Sequence, residues 1–130
     1  MVERKKFNLA DRIVSFKYAF KGLWILLKTQ HSAWFHAAST VALIVVGFSF
    51  GLSQSEWCWL VLAMMAVWTA EAFNTSIEFL SDVVSPEYHP LIEKAKDVAA
   101  AAVLITVIGS VSIGVLTLGP YILKLLDLRI

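Results

Sequence analysis

Residues 71–82 read EAFNTSIEFLSD and follow the apolar run WCWLVLAMMAVW at residues 57–68. Three acids and an asparagine thus end a segment otherwise suited to hydrocarbon. Glu71, Asn74, Glu78 and Asp82 recur at i, i+3, i+7 and i+11. At about 100° per residue they fall within about 80° of one another, one narrow stripe on a helix. Thr75 lies beside the stripe, while Phe73, Ile77 and Phe79 turn elsewhere. A helix starting near Trp57 and rising about 1.5 Å per residue reaches Glu71 after about 21 Å and Glu78 after about 31 Å. In a hydrocarbon layer about 30 Å thick, Glu71 is still among acyl chains while Glu78 and Asp82 emerge at the surface. Each intramembrane carboxylate costs about 2.5–3.5 kcal/mol on insertion scales. The stripe must therefore face protein, metal or water.

The rest of the chain supports a membrane setting. Of its 130 residues 58% are hydrophobic, and the mean hydropathy is +0.72. Soluble domains usually hold about 45–50% apolar residues. The length suits one domain. A net charge of +1 gives no support to nucleic-acid binding. The single cysteine, Cys58, sits in an apolar run and makes neither a disulfide framework nor a cysteine-rich metal site. No cleavable signal is expected, because Asp11, Arg12 and Lys17 interrupt the chain before any h-region.

Three spans and one surface helix are expected, an all-α membrane protein. Residues 32–55 and 98–123 contain no Asp, Glu, Lys or Arg, and a spanning helix needs about 20 residues. The spans are placed at about 33–52, 57–80 and 98–124. Gly109, Ser110, Gly114 and Gly119 offer the third span small faces for close packing. Residues 83–96, VVSPEYHPLIEKAK, read as a loop leading into a helix start. At about 8–29, Phe7, Ile13, Phe16, Phe20, Leu23, Trp24 and Leu27 interleave with Arg12, Lys17, Lys21 and Lys28. That pattern fits an amphipathic helix in the membrane interface. Arg4, Lys5, Lys6, Arg12, Lys17, Lys21, Lys28, Lys94 and Lys96 lie before the first span or between the second and third, leaving only Lys124 and Arg129 elsewhere. The excess puts the N-terminus and the second loop in the cytoplasm.

The second chemical cluster is Glu93-Lys94-Ala95-Lys96-Asp97, which runs into four alanines at residues 99–102. It lies at nearly the depth of Glu78. A lysine and several carboxylates at one depth suit a phosphate group plus Mg²⁺, acids holding the cation and the lysine neutralising phosphate oxygens. For the acidic stripe a structural alternative is that its acids pair with Lys94 or Lys96 or snorkel out of the membrane, and a proton or ion pathway is a second functional reading. No GxxxxGK[ST] loop, H-R-D or D-F-G set occurs. His31 and His36, at i, i+5, do not share a face well enough for a zinc site.

EAFNTSIEFLSD followed by SPEYHPLIEKAKDVAAAAVLI resembles the prokaryotic integral-membrane lipid kinases, diacylglycerol kinase and undecaprenol kinase. Their signature has the form E-x-x-N-[ST]-[AS]-I-E-x-x-x-D, then a loop with a YH or HP pair, then A-K-D and small residues. The early YAFKGL at residues 18–23 extends the resemblance over nearly the whole chain. It implies transfer of the γ-phosphoryl group of ATP, with Mg²⁺, to a membrane lipid hydroxyl at the cytoplasmic face of the bacterial inner membrane. It also implies a homotrimer with active sites shared between subunits. Residue by residue it implies Glu71 as general base and Asn74 as the group steadying the transferred phosphate. Glu78 matches a Mg²⁺ ligand that also serves the nucleotide, with Asp82 supporting it. Tyr18, Glu87, Tyr88, His89, Lys96 and Asp97 match nucleotide contacts. HPLIEKAKD reads more like the undecaprenol-kinase branch, and the acceptor stays open between diacylglycerol and undecaprenol.

One departure stands out. Where the family carries a metal-sharing glutamate and then an arginine, this chain has Gln30 and Trp34 in TQHSAWFHA, residues 29–37. A glutamine offers a carbonyl oxygen but no charge. The expected consequence is weaker metal binding, a ligand from elsewhere, or altered activity. Two other functions remain in view: a small proton-coupled transporter with Glu71 as its protonating group, and a catalytically weak lipid- or ATP-binding family member.

Overall fold

Within hydrocarbon, backbone N–H and C=O groups have to be satisfied inside their own segment, so the charge-free stretches of this chain are expected to be helical. The computed structural model describes residues 8–126 and is helical almost throughout. The helices are α1 (Leu9–Thr29), α2 (His31–Phe50), α3 (Gln54–Val84) and α4 (Pro90–Leu125). The last three are each long and apolar enough to cross a membrane. Arg4, Lys5, Lys6, Phe7 and Arg129, used above for topology and amphipathicity, lie outside the described residues.

A single residue separates α1 from α2. Gln30 adopts an extended conformation (φ −110°, ψ 117°) at the N-cap of α2 and makes no side-chain cap there. Its amide is directed elsewhere, toward α3. Among the described side chains of α1 only Leu26 is buried, while Ile13, Phe16, Phe20 and Trp24 are exposed. The Lys28 ammonium lies 5.2 Å from the Trp24 ring centroid, a cation–π arrangement.

The turn between α2 and α3 is chemically specified. Gly51 takes a left-handed conformation (φ 65°), its N–H bonding Phe48 O while the Leu52 N–H bonds Gly47 O. These two bonds are a Schellman motif, which satisfies the carbonyls that end α2. Ser53 and Glu56 then form a reciprocal capping box that starts α3. The Tyr121 hydroxyl donates to Glu56 at 3.0 Å, and its ring stacks on Phe50 at 5.5 Å. Leu52, Leu60 and Leu118 form the small core here, with Trp57 and Ile113 packed against it. Trp57 lies against the backbone of Gly47, where an added Cβ would stand 2.7 Å from the indole.

At the other end the helices overshoot the bilayer. With 31 and 36 residues, α3 and α4 reach about 46 and 54 Å at about 1.5 Å per residue, against about 30 Å of hydrocarbon. The connection spans only residues 85–89. This corrects the expected loop over 83–96: Pro90 occupies the first helical turn, where its missing N–H costs nothing. His89 Nδ1 caps by accepting from the Leu91 N–H at 3.2 Å. Lys94, Lys96 and Asp97 are thus helical. The small residues expected to pack divide. A Cβ on Gly109, Gly114 or Gly119 would meet nothing within 4 Å. Ser110 does face a neighbour, its hydroxyl donating to Ala63 O at 2.9 Å, and Ala99 and Leu118 are buried with it.

The Gly47–Trp57 contact yields a graded expectation. Gly47→Ala lowers the thermal midpoint of the purified protein in detergent, and Gly47→Leu lowers it further, by about 1–3 kcal/mol of overpacking. Circular-dichroism melts of the two variants check the order; an unchanged midpoint in Gly47→Leu contradicts the close packing.

Candidate active site at the α2–α3 seam

The acidic stripe meets the start of α2. Glu71 is 3% exposed and Asn74 9%, Glu78 is half-buried, and Asp82 is exposed. A spacing of i, i+3, i+7 directs the first three toward one neighbour, and α2 supplies it. The Ser32 hydroxyl donates to Glu71 Oε1. His36 Nε2 stands 3.6 Å from Glu71 Oε2. Four residues on, Thr40 accepts from the Trp68 indole N–H at 3.1 Å, and Trp68 meets His36 edge-on, ring centroids 6.2 Å apart. Two turns further along α3, Glu78 accepts from two amides, Gln30 Nε2 at 3.0 Å and Asn74 Nδ2 at 3.2 Å.

Each buried charge thus has polar company. A carboxylate out of water is tolerated only where hydrogen bonds replace its hydration. Some atoms remain open: His36 Nε2, Asn74 Oδ1 and Thr75 Oγ1 are buried without a hydrogen-bond partner. A buried polar group left unpaired costs about 1–3 kcal/mol. Such atoms are where a substrate or ion would find ready partners.

The second cluster forms a separate cleft beyond the stripe. Asp82, Glu87, Tyr88, His89, Lys96 and Asp97 line a cavity of about 360 Å³ between the ends of α3 and α4. Lys96 Nζ lies 3.4 Å from Asp82 Oδ1, an exposed pair of small energetic weight. The Tyr88 hydroxyl donates to Glu93 Oε2 at 2.8 Å, and that acceptor holds the phenol above its ordinary pKa. The structure therefore brings Gln30, Glu71, Asn74 and Glu78 to one seam and the loop residues with Asp82, Lys96 and Asp97 to a neighbouring cleft. Tyr18 joins neither; it stands exposed on α1.

Ser32, His36 and Thr40 went unassigned from sequence. Their signal is a second stripe: spaced i, i+4, i+8, they fall within about 80° on a charge-free span. Among the described residues no group of three His, Cys, Asp or Glu is placed to hold a metal ion.

Comparison with known proteins follows this geometry. Residues 17–118 match the family described as prokaryotic diacylglycerol kinase. The undecaprenol kinase of Bacillus subtilis (strain 168) is 37% identical over 106 residues, 82% of this chain and 86% of that one. The diacylglycerol kinase of Synechocystis sp. is 35% identical over 115 residues, 88% of this chain and 66% of that protein. That of Escherichia coli (strain K12) is 33% identical over 113 residues, 79% of this chain and 90% of that one. With three apolar helices and this match across most of its length, the chain is a multi-pass membrane lipid kinase and belongs to the prokaryotic diacylglycerol kinase family.

Proposed function

We propose that this chain transfers the γ-phosphoryl group of ATP to the hydroxyl of a membrane lipid alcohol, diacylglycerol or undecaprenol, at the cytoplasmic face of the bacterial inner membrane. The observation that carries the reading is the division of labour along α3. Glu71 is a buried carboxylate that helical rise puts at acyl depth, and a polar cleft opens between the ends of α3 and α4, beyond the stripe. A lipid hydroxyl and a water-soluble nucleotide are met by those two places in turn. Residues of α1, with Phe16, Phe20 and Trp24 exposed, lie in the membrane interface as an amphipathic surface helix.

In this mechanism Glu71 takes the lipid hydroxyl proton as the oxygen attacks the γ-phosphorus; the new O–P bond forms as the bond to the departing ADP breaks. Asn74 steadies the transferred phosphoryl group. Lys96 offsets phosphate charge, and Asp97, Glu87, Tyr88 and His89 hold the nucleotide. Asp82 keeps Lys96 oriented. The donor set suits Mg²⁺, which takes oxygen ligands, usually one or two carboxylates together with phosphate oxygens and water. Glu78 is such a carboxylate, and the neighbouring Asn74, whose Nδ2 donates to it, carries a buried, unpartnered Oδ1 on the same amide. A Mg²⁺ ion held by these residues would neutralise charge on the phosphates.

Gln30 directs its amide N–H at Glu78, so at this position it presents a donor where a second acid would present charge. The affinity for Mg²⁺ is correspondingly modest. The exposed apolar faces of α2 and α4, among them Phe48, Leu104, Ile108 and Leu116, are available for subunits of a homotrimer as well as for lipid.

Two measurements check this. With radiolabelled ATP, Mg²⁺ and either lipid alcohol, the purified protein yields labelled phospholipid, and Glu71→Gln lowers turnover by about 10²–10⁴-fold. Wild-type turnover in Glu71→Gln removes the base assignment. Separately, Gln30→Glu places a second carboxylate against Glu78 and lowers the Mg²⁺ concentration giving half-maximal activity, whereas Glu78→Gln raises it; an Mg²⁺ dependence indifferent to both contradicts the ion site.

A further inference from the structure

The imidazole of His36 is buried against Glu71, yet its Nε2 hydrogen-bonds nothing. The separation from Glu71 Oε2, 3.6 Å, exceeds a hydrogen bond. Oε1 is already engaged by Ser32. The free oxygen of the carboxylate and the free nitrogen of the imidazole thus face one another across a gap. A hydroxyl oxygen about 2.8 Å from both would bridge that gap, donating its proton to one and accepting from the other.

We infer that His36 is a binding residue for the acceptor alcohol: its Nε2–H donates to the lipid hydroxyl oxygen while that hydroxyl donates to Glu71 Oε2, and Ser32 positions Glu71 by holding Oε1. The inference rests on the reading of Glu71 as the base. As the proton passes to Glu71, negative charge grows on the hydroxyl oxygen, and the His36 hydrogen bond strengthens with it. The ring is held for this by the Trp68 edge, itself fixed through Thr40.

A second observation indicates what approaches His36. The residue closes the polar end of an apolar groove of about 380 Å³ between α2, α3 and α4, with walls from Leu43, Val46, Leu60, Val67 and Val107. The occupant it suits is the hydrocarbon tail of a lipid alcohol. A chain lying there brings its head to His36 and hence to Glu71. The rest of the groove offers little hydrogen bonding, so the pair selects for a hydroxyl at the head of the chain.

The test uses the full-length protein in mixed micelles with ATP, Mg²⁺ and either a short-chain diacylglycerol or a polyprenol. His36→Leu removes the donor and lowers kcat/KM for the lipid by about ten- to a hundredfold, leaving the KM for ATP unchanged. His36→Gln, whose side-chain amide N–H reaches a similar place, retains most of the activity. His36→Ala is partly restored by added imidazole, and this arm decides the matter if the leucine variant does not fold. Ser32→Ala lowers kcat with little change in the KM for ATP. Equal losses in His36→Leu and His36→Gln, no imidazole rescue in His36→Ala, or wild-type rates throughout overturn the inference while the kinase reading stands. An inactive wild-type protein, or an active Glu71→Gln variant, overturns that reading and takes this inference with it.

Discussion

A carboxylate that is 3% exposed on a membrane helix sets terms that its neighbours must meet. Glu71 has no lysine or arginine within the spans to pair with, and its polar neighbours come from α2: the Ser32 hydroxyl donates to it and the His36 imidazole stands 3.6 Å away. Glu78, two turns further along α3, accepts from two amides. The inner end of α2 is therefore docked on α3 by polar contacts rather than by a hydrophobic core. In hydrocarbon such contacts carry much of the association between helices, because apolar faces find equally good company in lipid tails.

That arrangement separates stability from chemistry along the length of the molecule. The end at the α2–α3 turn holds the Schellman turn, the capping box, the Tyr121–Glu56 bond and the leucine core. The opposite end holds the open atoms: His36 Nε2, Asn74 Oδ1 and Thr75 Oγ1. Between them α3 and α4 run together over most of their length and carry the seam and the polar cleft as one unit. A loop of residues 85–89 keeps the cleft within a turn or two of Glu78. The proposed lipid and nucleotide sites are thereby linked through a single rigid element, α3.

Much of this was legible in the residues. The acidic stripe, its depth and the three apolar spans follow from helical periodicity and from the absence of charge over long stretches, both strong signals. The stripe's partner was harder to see, because Ser32, His36 and Thr40 are neutral and interrupt no hydropathy pattern; only their fourfold spacing betrays a face. The start of α4 was placed late because charge and two prolines read as loop. Pro90, however, sits where a helix tolerates proline, and His89 caps it. The glycines of α4 read as packing positions by composition alone. Their direction depends on which side of α4 meets α3, which is set by Ala99, Ser110 and Leu118.

Gln30 ties these strands together. It breaks the helix between α1 and α2, leaves the N-cap of α2 without a side-chain partner, and gives its amide to Glu78. The central claim, however, concerns where the seam holds the carboxylate of Glu71. Glu71→Asp keeps the chemistry and withdraws the carboxylate by one methylene, so steady-state turnover of lipid alcohol at saturating ATP isolates placement from charge. The account predicts a large fall in kcat with an unchanged KM for ATP. Turnover at the wild-type rate in Glu71→Asp would contradict it.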